Sequence, residues 1–216
     1  KIHNRERQNT LAKEKLLQVI SDYPDSSASS ESLLLMAKIH KREGKKSEAI
    51  NKLTRVVSQH SEDGSVAGVA LHLWAKIYHQ QGDYGEAMEK LGAVVSEYAD
   101  YKAATRSLFL LARTAQKQGN LTKAKERYEE LISKYPDAEA AAKSRYKLGK
   151  MAQEQGDEFE AREAFGEVVS DFPETKWAVR AQSRIAESYI HAGDDPNAEA
   201  VTQELIREIS DNSRTG

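Results

Sequence analysis

Apolar residues return at three- and four-residue spacing along almost the whole chain, as in Leu108, Leu111, Ala112 and Ala115. That period lines one face of an amphipathic α-helix. It predicts paired helices separated by polar turns. The first helix of each pair is expected over roughly residues 30–43, 65–81, 102–118, 138–155 and 174–192. The second is expected over roughly 46–59, 84–98, 121–134, 158–171 and 196–209. Upstream, Thr10 to Ile20 carries Leu16, Val19 and Ile20 on one face and stops at Tyr23-Pro24. It reads as a second helix whose first helix is mostly absent. Lys1–Asn9 is polar and falls where that first helix should be ending, and the polar tail Ser210–Gly216 is expected to fray.

The interruptions keep one rhythm. Turn glycines Gly44, Gly82, Gly119, Gly156 and Gly193 step by 38, 37, 37 and 37 residues. The alanines Ala12, Ala49, Ala87, Ala124, Ala161 and Ala198 and the helix-closing Tyr23, His60, Tyr98, Tyr135, Phe172 and Ile209 keep the same beat. Independent markers on one period mean a repeat array. The expected organisation is a single array over 1–216: a partial repeat (1–24), full repeats (25–61, 62–99, 100–136, 137–173, 174–210) and a short tail (211–216). Glycine at each turn tolerates the left-handed backbone that ends a helix. Asp83, Asn120, Asp157 and Asp194 follow their glycines, placed for a side-chain oxygen to accept an orphan N–H of the next helix. The first full repeat has Lys45 there instead, with Ser47 as the substitute cap. Pro24, Pro136 and Pro173 close second helices, because proline cannot continue the hydrogen-bond ladder.

Composition changes this picture little. The chain has 216 residues and a net charge of −2, so a repeat that grows by stacking, not one central core, sets its organisation. Charged residues at 31% against aromatics at 7% suit solvated helices better than sheets. No cysteine is present, which excludes disulfides and thiolate metal sites. No apolar run approaches the ~18 residues of a membrane span. The chain opens on Lys1 and is expected to be a processed or trimmed piece, so a missing targeting segment carries no weight.

These markers resemble the tetratricopeptide repeat (TPR), a helix–turn–helix unit with small residues at positions 8 and 20, a bulky one at 24 and often proline at 32. Position 8 here is Ala37, Ala75, Ala112, Gly149 and Ala186; position 24 is Leu53, Leu91, Tyr128, Phe165 and Thr202. Position 32 is Ser61, Ala99, Pro136, Pro173 and Ser210. The chain departs from the pattern in its longer period and in Arg145 and Gln182, which stand where position 4 calls for a large residue. The 37-residue period with joints such as Tyr135-Pro136-Asp137 and Phe172-Pro173-Glu174-Thr175 resembles bacterial envelope TPR proteins, of the Tol-Pal-associated and outer-membrane assembly lipoprotein kinds. The resemblance implies an all-α superhelix of antiparallel helix pairs (a TPR solenoid), non-enzymatic and without a cofactor. It also implies a location in the bacterial periplasm or cell envelope, with the cytoplasm as the alternative.

In that family the first helices line a concave groove. Carried over by position, the groove residues are Lys38, Lys41, His72, Lys76, His79, Arg106, Phe109, Arg113, Lys117, Lys143, Tyr146, Lys150 and Arg180, with Arg42 and Leu34 beside them. The five expected first helices hold 15 Lys and Arg against 6 Asp and Glu, the second helices 10 against 15. A near-neutral chain is thus polarised into basic first and acidic second helices. The expected partner is another protein that lays an extended or acidic segment in the groove, through charge-assisted bonds and packing on Phe109 and Tyr146. The carboxylate clamp of chaperone-binding relatives uses asparagine where this chain has lysine, so that specificity is not carried over.

Other chemistry is thin. His72 and His79 lie seven apart on one helix face without an intervening carboxylate, and they read as groove or surface histidines. Glu129-Glu130 and Asp194-Asp195 read as solvating or dipole-complementing groups. No phosphate loop or nucleophile elbow is present. Trp74 reads as core, and Trp177 as packing on Phe172 or as a partly exposed anchor. At the C-terminal end, Leu205, Ile206 and Ile209 follow without a cap helix, a candidate interface for a partner, a second copy or further repeats. The two rivals to a protein-binding groove are a polyanion binder, of acidic polysaccharide or nucleic acid, and an architectural module that assembles through its ends.

Overall fold

The computed structural model describes the backbone of residues 2–100 and 102–214, and within these all side chains but those of 2–8, 195, 204–205 and 208–214. Among the described residues the secondary structure is eleven α-helices without a strand: α1 Ile2–Asp22, α2 Ser27–Arg42, α3 Lys46–Gln59, α4 Gly64–Gln81, α5 Tyr84–Glu97, α6 Lys102–Lys117, α7 Leu121–Lys134, α8 Glu139–Glu154, α9 Glu158–Asp171, α10 Lys176–Ala192 and α11 Asp195–Arg214. Each of the ten expected helices of the full repeats is present. Boundaries move where caps were not foreseen. Ser26, Asp63 and Thr175 accept from the backbone N–H of Ser29, Val66 and Ala178, and so start α2, α4 and α10.

The turns behave as their glycines require. Gly44, Gly82, Gly119, Gly156 and Gly193 all have φ between 72° and 90°, a left-handed conformation that a Cβ would strain. The acidic caps behave less uniformly. Asp157 accepts from the Glu160 N–H at 2.9 Å, as expected. Asp83 makes no side-chain cap bond, and its carbonyl alone receives the Ala87 N–H. Lys45 is itself the N-cap of α3, so Ser47 lies inside the helix and does not substitute for it. At the two ends the helices outrun expectation. The backbone is helical from Ile2, through the polar stretch, and at the other end to Arg214, past Ser210. Glu, Gln, Lys and Arg are good helix formers, so polarity alone does not stop a helix.

The chain forms two compact units, Lys1–Leu121 and Thr122–Gly216. The boundary falls between the two helices of the third full repeat. In the first unit α1 packs on α2, α2 on α3, α3 on α4, α4 on α5 and α5 on α6, while first helices also meet, α2 with α4 and α4 with α6. In the second, α8 packs on α9, α9 on α10, α10 on α11, and α8 on α10. The core of each pair is the small-against-large crossing. Ala49, Leu53, Ala87, Leu91, Ala161 and Phe165 are fully buried. Each buried leucine contributes roughly 1.5–3 kcal/mol. Thr202, at the same place in the last repeat, is exposed.

Position 4 shows how the departures are accommodated. Arg145 on α8 pairs with Glu167 at 3.3 Å and with Asp171, both on α9, and its guanidinium stands 5.8 Å from the Phe172 ring centre. Charge thus ties the hairpin where relatives use a bulky side chain. Gln182 is buried on α10.

Candidate functional site

In the first unit α4 packs between α2 and α6, and this packing brings basic residues of the three helices close together. Two cross-repeat contacts fix the offset between α4 and α6. His72 Nδ1 lies 3.0 Å from Ser107 Oγ, and His79 Nδ1 lies 3.0 Å from Thr114 Oγ1. Thr114 Oγ1 donates to the Leu110 carbonyl at 2.7 Å, so it has a lone pair to offer and His79 Nδ1–H is the donor. Both pairs span 35 residues, two short of the repeat. Sequence reasoning found the histidines but not their hydroxyl partners. The shared offset of Ser107 and Thr114 is the signal that would have revealed them.

Cations gather around these histidines. Burial, then Lys76, Arg106 and Lys41 in turn, hold the His72 pKa down at about 4. Burial, then Arg113 and Lys117, lower His79 as well. Lys41 is lowered by burial and by the Lys76 charge. Among the described residues none of Lys38, Lys41, Lys76, Arg106, Arg113 and Lys117 has a carboxylate within 4.0 Å. The arrangement therefore carries unneutralised positive charge, which favours binding of an anionic group.

The neutral state of His72 makes a stability prediction. The folded chain holds it below the ordinary 6.5 while the unfolded chain does not, so the unfolded state takes up the proton first. Its contribution is full above pH 6.5 and is lost as pH falls towards 4. The urea midpoint of the first unit should drop between pH 7 and pH 4.5, and His72→Gln should shrink that drop. An unchanged pH response in the variant would remove His72 from the account.

The aromatic part of the expected groove is mostly withdrawn. Phe109 and Tyr146 are each only 8% exposed, and Leu34 is buried too. Tyr146 on α8 is committed to Phe165 and Trp177, with ring centres 5.4 Å away in both cases. Trp177 is buried, against the partly exposed alternative, and joins Phe172 in the same core cluster. Trp74 is only half-buried, with Lys90 Nζ 5.0 Å above its ring.

In the second unit the cations are engaged locally. Lys143 Nζ and Arg180 Cζ stand 5.6 and 4.8 Å from the Trp177 ring centre. Lys176, which the sequence reading did not single out, adds a third cation at 5.7 Å and pairs with Glu139 at 2.7 Å. Trp177 Nε1 donates to the same carboxylate, and the Lys176 hydrogen bond leads the effects that lower the Glu139 pKa. Lys150 pairs with Glu154 at 3.6 Å. Structure thus separates the candidate residues into a free cationic set in the first unit and a partly neutralised set in the second. At the C-terminal end Ile206 is 59% exposed, while the side chains of Leu205 and Ile209 lie outside the described residues.

Among the described residues no cluster of three or more His, Cys, Asp or Glu is placed to hold a metal ion, and no helix is long and apolar enough to cross a membrane.

Comparison with known proteins agrees with this architecture. BtubC (BKLC) from P. vanneervenii is similar in structure at a TM-score of 0.74 and 16% identity, over 96% of this chain and 92% of that one. A tetratricopeptide repeat protein from Parabacteroides merdae ATCC 43184 gives 0.63 and 17%, over 94% and 75%. A putative kinesin light chain from Podosopora anserina, with nearly identical TPR-like repeats, gives 0.60 and 22%, over 85% and 96%. Likeness at these identities establishes the fold, an all-α TPR solenoid. Comparison with curated protein sequences returned no match. Residues 31–63 match a tetratricopeptide repeat family. Residues 69–190, more than half of the chain, match the YfiO family, described as outer membrane lipoprotein. A fold of stacked helix pairs in a TPR family is that of a protein-binding scaffold, and this chain belongs to the YfiO outer membrane lipoprotein family.

Proposed function

We propose that the protein is a non-enzymatic scaffold of the bacterial cell envelope, on its periplasmic side, which binds an acidic segment of another protein on the basic inner face of α2, α4 and α6. The observation that carries this reading is the set of cations around His72 and His79 that, among the described residues, have no carboxylate within 4.0 Å. Holding Lys41, Lys76 and Arg106 near one another costs the free protein repulsion that an anionic ligand relieves. Charge-assisted bonds to carboxylates are the natural use of such a face. Because Phe109 is buried, charge and the backbone of the ligand supply more of the recognition than aromatic packing does. The same burial counts against single-stranded nucleic acid, which needs exposed aromatic faces for stacking. The envelope location is supported by the family. A multiprotein assembly as the setting follows from the habit of TPR proteins.

A charge-reversed variant tests it: Lys76→Glu, Arg106→Glu, Arg113→Glu and Lys117→Glu together, compared with the parent as bait in an envelope extract. The parent should retain a discrete protein through moderate salt, and the variant should lose it. Retention by both would overturn the groove reading. Loss of a heparin-like polyanion alone, with steep salt dependence, would favour the polyanion alternative.

A further inference from the structure

The basic face of α2, α4 and α6 is divided into two rungs that repeat along the helices. On α4, His72 and His79 stand seven residues apart; on α6, Ser107 and Thr114 stand the same distance apart and meet them one to one. Both hydroxyl residues are fully buried, and each directly follows an exposed arginine, Arg106 or Arg113. Seven residues are about two turns of helix, so the second rung repeats the first about 10.5 Å along the axes. Lys76 lies four residues after His72 and three before His79, on the face that carries both. Its charge reaches His72 together with those of Arg106 and of Lys41 from α2, while Arg113 and Lys117 act on His79. α4 and α6 contain no Asp or Glu, and α2 contains only Glu31.

A ligand suited to this face carries two anionic groups about 10 Å apart on one side. Backbone geometry then limits how it is built. A polyproline II segment has about three residues per turn and rises about 3.1 Å per residue, so residues i and i+3 project on one side about 9.3 Å apart. In a β-strand the same two residues face opposite ways, and same-side neighbours fall at about 6.6 or 13 Å. A helix matches at i and i+7, but a short helix is marginal in water unless it buries an apolar stripe. Leu34, Phe109 and Leu110 are already buried and offer such a stripe little. We propose, on the reading of this face as the site for an acidic segment, that the two rungs hold two carboxylates of one partner segment, three residues apart in a polyproline II conformation. Arg106 and Arg113 each take one carboxylate in charge-assisted bonds, with Lys76 between them. The hydroxyl–histidine contacts hold α4 and α6 at the offset that lines the arginines up with Lys76.

The probe is a fluorescein-labelled proline-rich peptide with two glutamates, synthesised with the pair two, three or four residues apart at constant composition. Anisotropy titration on the full 216-residue chain should show the three-residue spacing bound about tenfold tighter than either neighbour. Changing one glutamate of that peptide to glutamine should lose the same factor. Arg106→Gln or Arg113→Gln, each at an exposed position, should keep the helical circular dichroism and bring the three spacings within about twofold of one another. Lys134→Gln, on α7 and outside this face, should leave the preference unchanged. Equal binding at all spacings would overturn the paired rungs and leave the acidic-segment reading standing. No saturable binding of any of the acidic peptides would overturn both. Tighter binding of a helical peptide with glutamates seven residues apart would overturn the extended occupant in favour of a helix.

Discussion

Replacing Phe165 with alanine should lower the stability of the second unit by about 3–5 kcal/mol. The ring is fully buried between α8 and α9, 5.4 Å centre to centre from Tyr146, in the cluster that also holds Val168, Ala181 and Trp177. Its removal forfeits the transfer of an aromatic ring out of water and leaves a cavity among the side chains of that cluster. In a repeat protein such a loss falls on one hairpin and its neighbours. The two tryptophans allow it to be seen there: Trp74 lies in the first unit and Trp177 in the second. With Trp74→Phe as background, urea unfolding followed through Trp177 should show the full shift. A loss below about 1 kcal/mol would mean that the site collapses around the deletion.

Gly149→Ala is the second large effect, and its sign runs against helix propensity. Alanine in place of glycine inside a helix ordinarily gains about 1 kcal/mol. Here a Cβ would sit 2.7 Å from Phe165 Cε1 and 2.8 Å from Cδ1, and the ring is itself fully buried beside Tyr146. Overpacking of this kind costs about 1–3 kcal/mol. A net destabilisation should therefore appear by the same Trp177 readout. Combining the two substitutions separates the causes. In a Phe165→Leu background, the alanine–leucine crossing of Ala37 with Leu53 and Ala75 with Leu91 is restored, and Gly149→Ala should become neutral or stabilising. If Gly149→Ala raises stability with Phe165 intact, the close approach is not what selects glycine there.

Both predictions come from a crossing that the repeat pattern had already marked. The period placed Gly149 at position 8 and Phe165 at position 24, and each full-repeat helix appeared where the apolar stripe put it. The joints were equally readable: five glycines at the expected turns all take positive φ. What was misjudged was chemistry that depends on neighbours. Asp83 and Asp157 look alike in sequence, yet only Asp157 caps with its side chain. Phe109 and Tyr146 fall at groove positions by counting, yet both are buried, Tyr146 against Phe165 of its own repeat and Trp177 of the next.

The sequence by itself determined the helix pairs, their turns, the small-against-large crossings and the surplus of positive charge on first helices. All of these rest on interactions within a few residues or on a strict repeat, so they survive projection onto one dimension. Tertiary structure decided which cations stay unneutralised and which aromatics remain reachable. Those outcomes depend on the offset between neighbouring helices, fixed by contacts such as His72 with Ser107, 35 residues apart. A period of 37 states that helices stack; only packed side chains set how far one slides along the next.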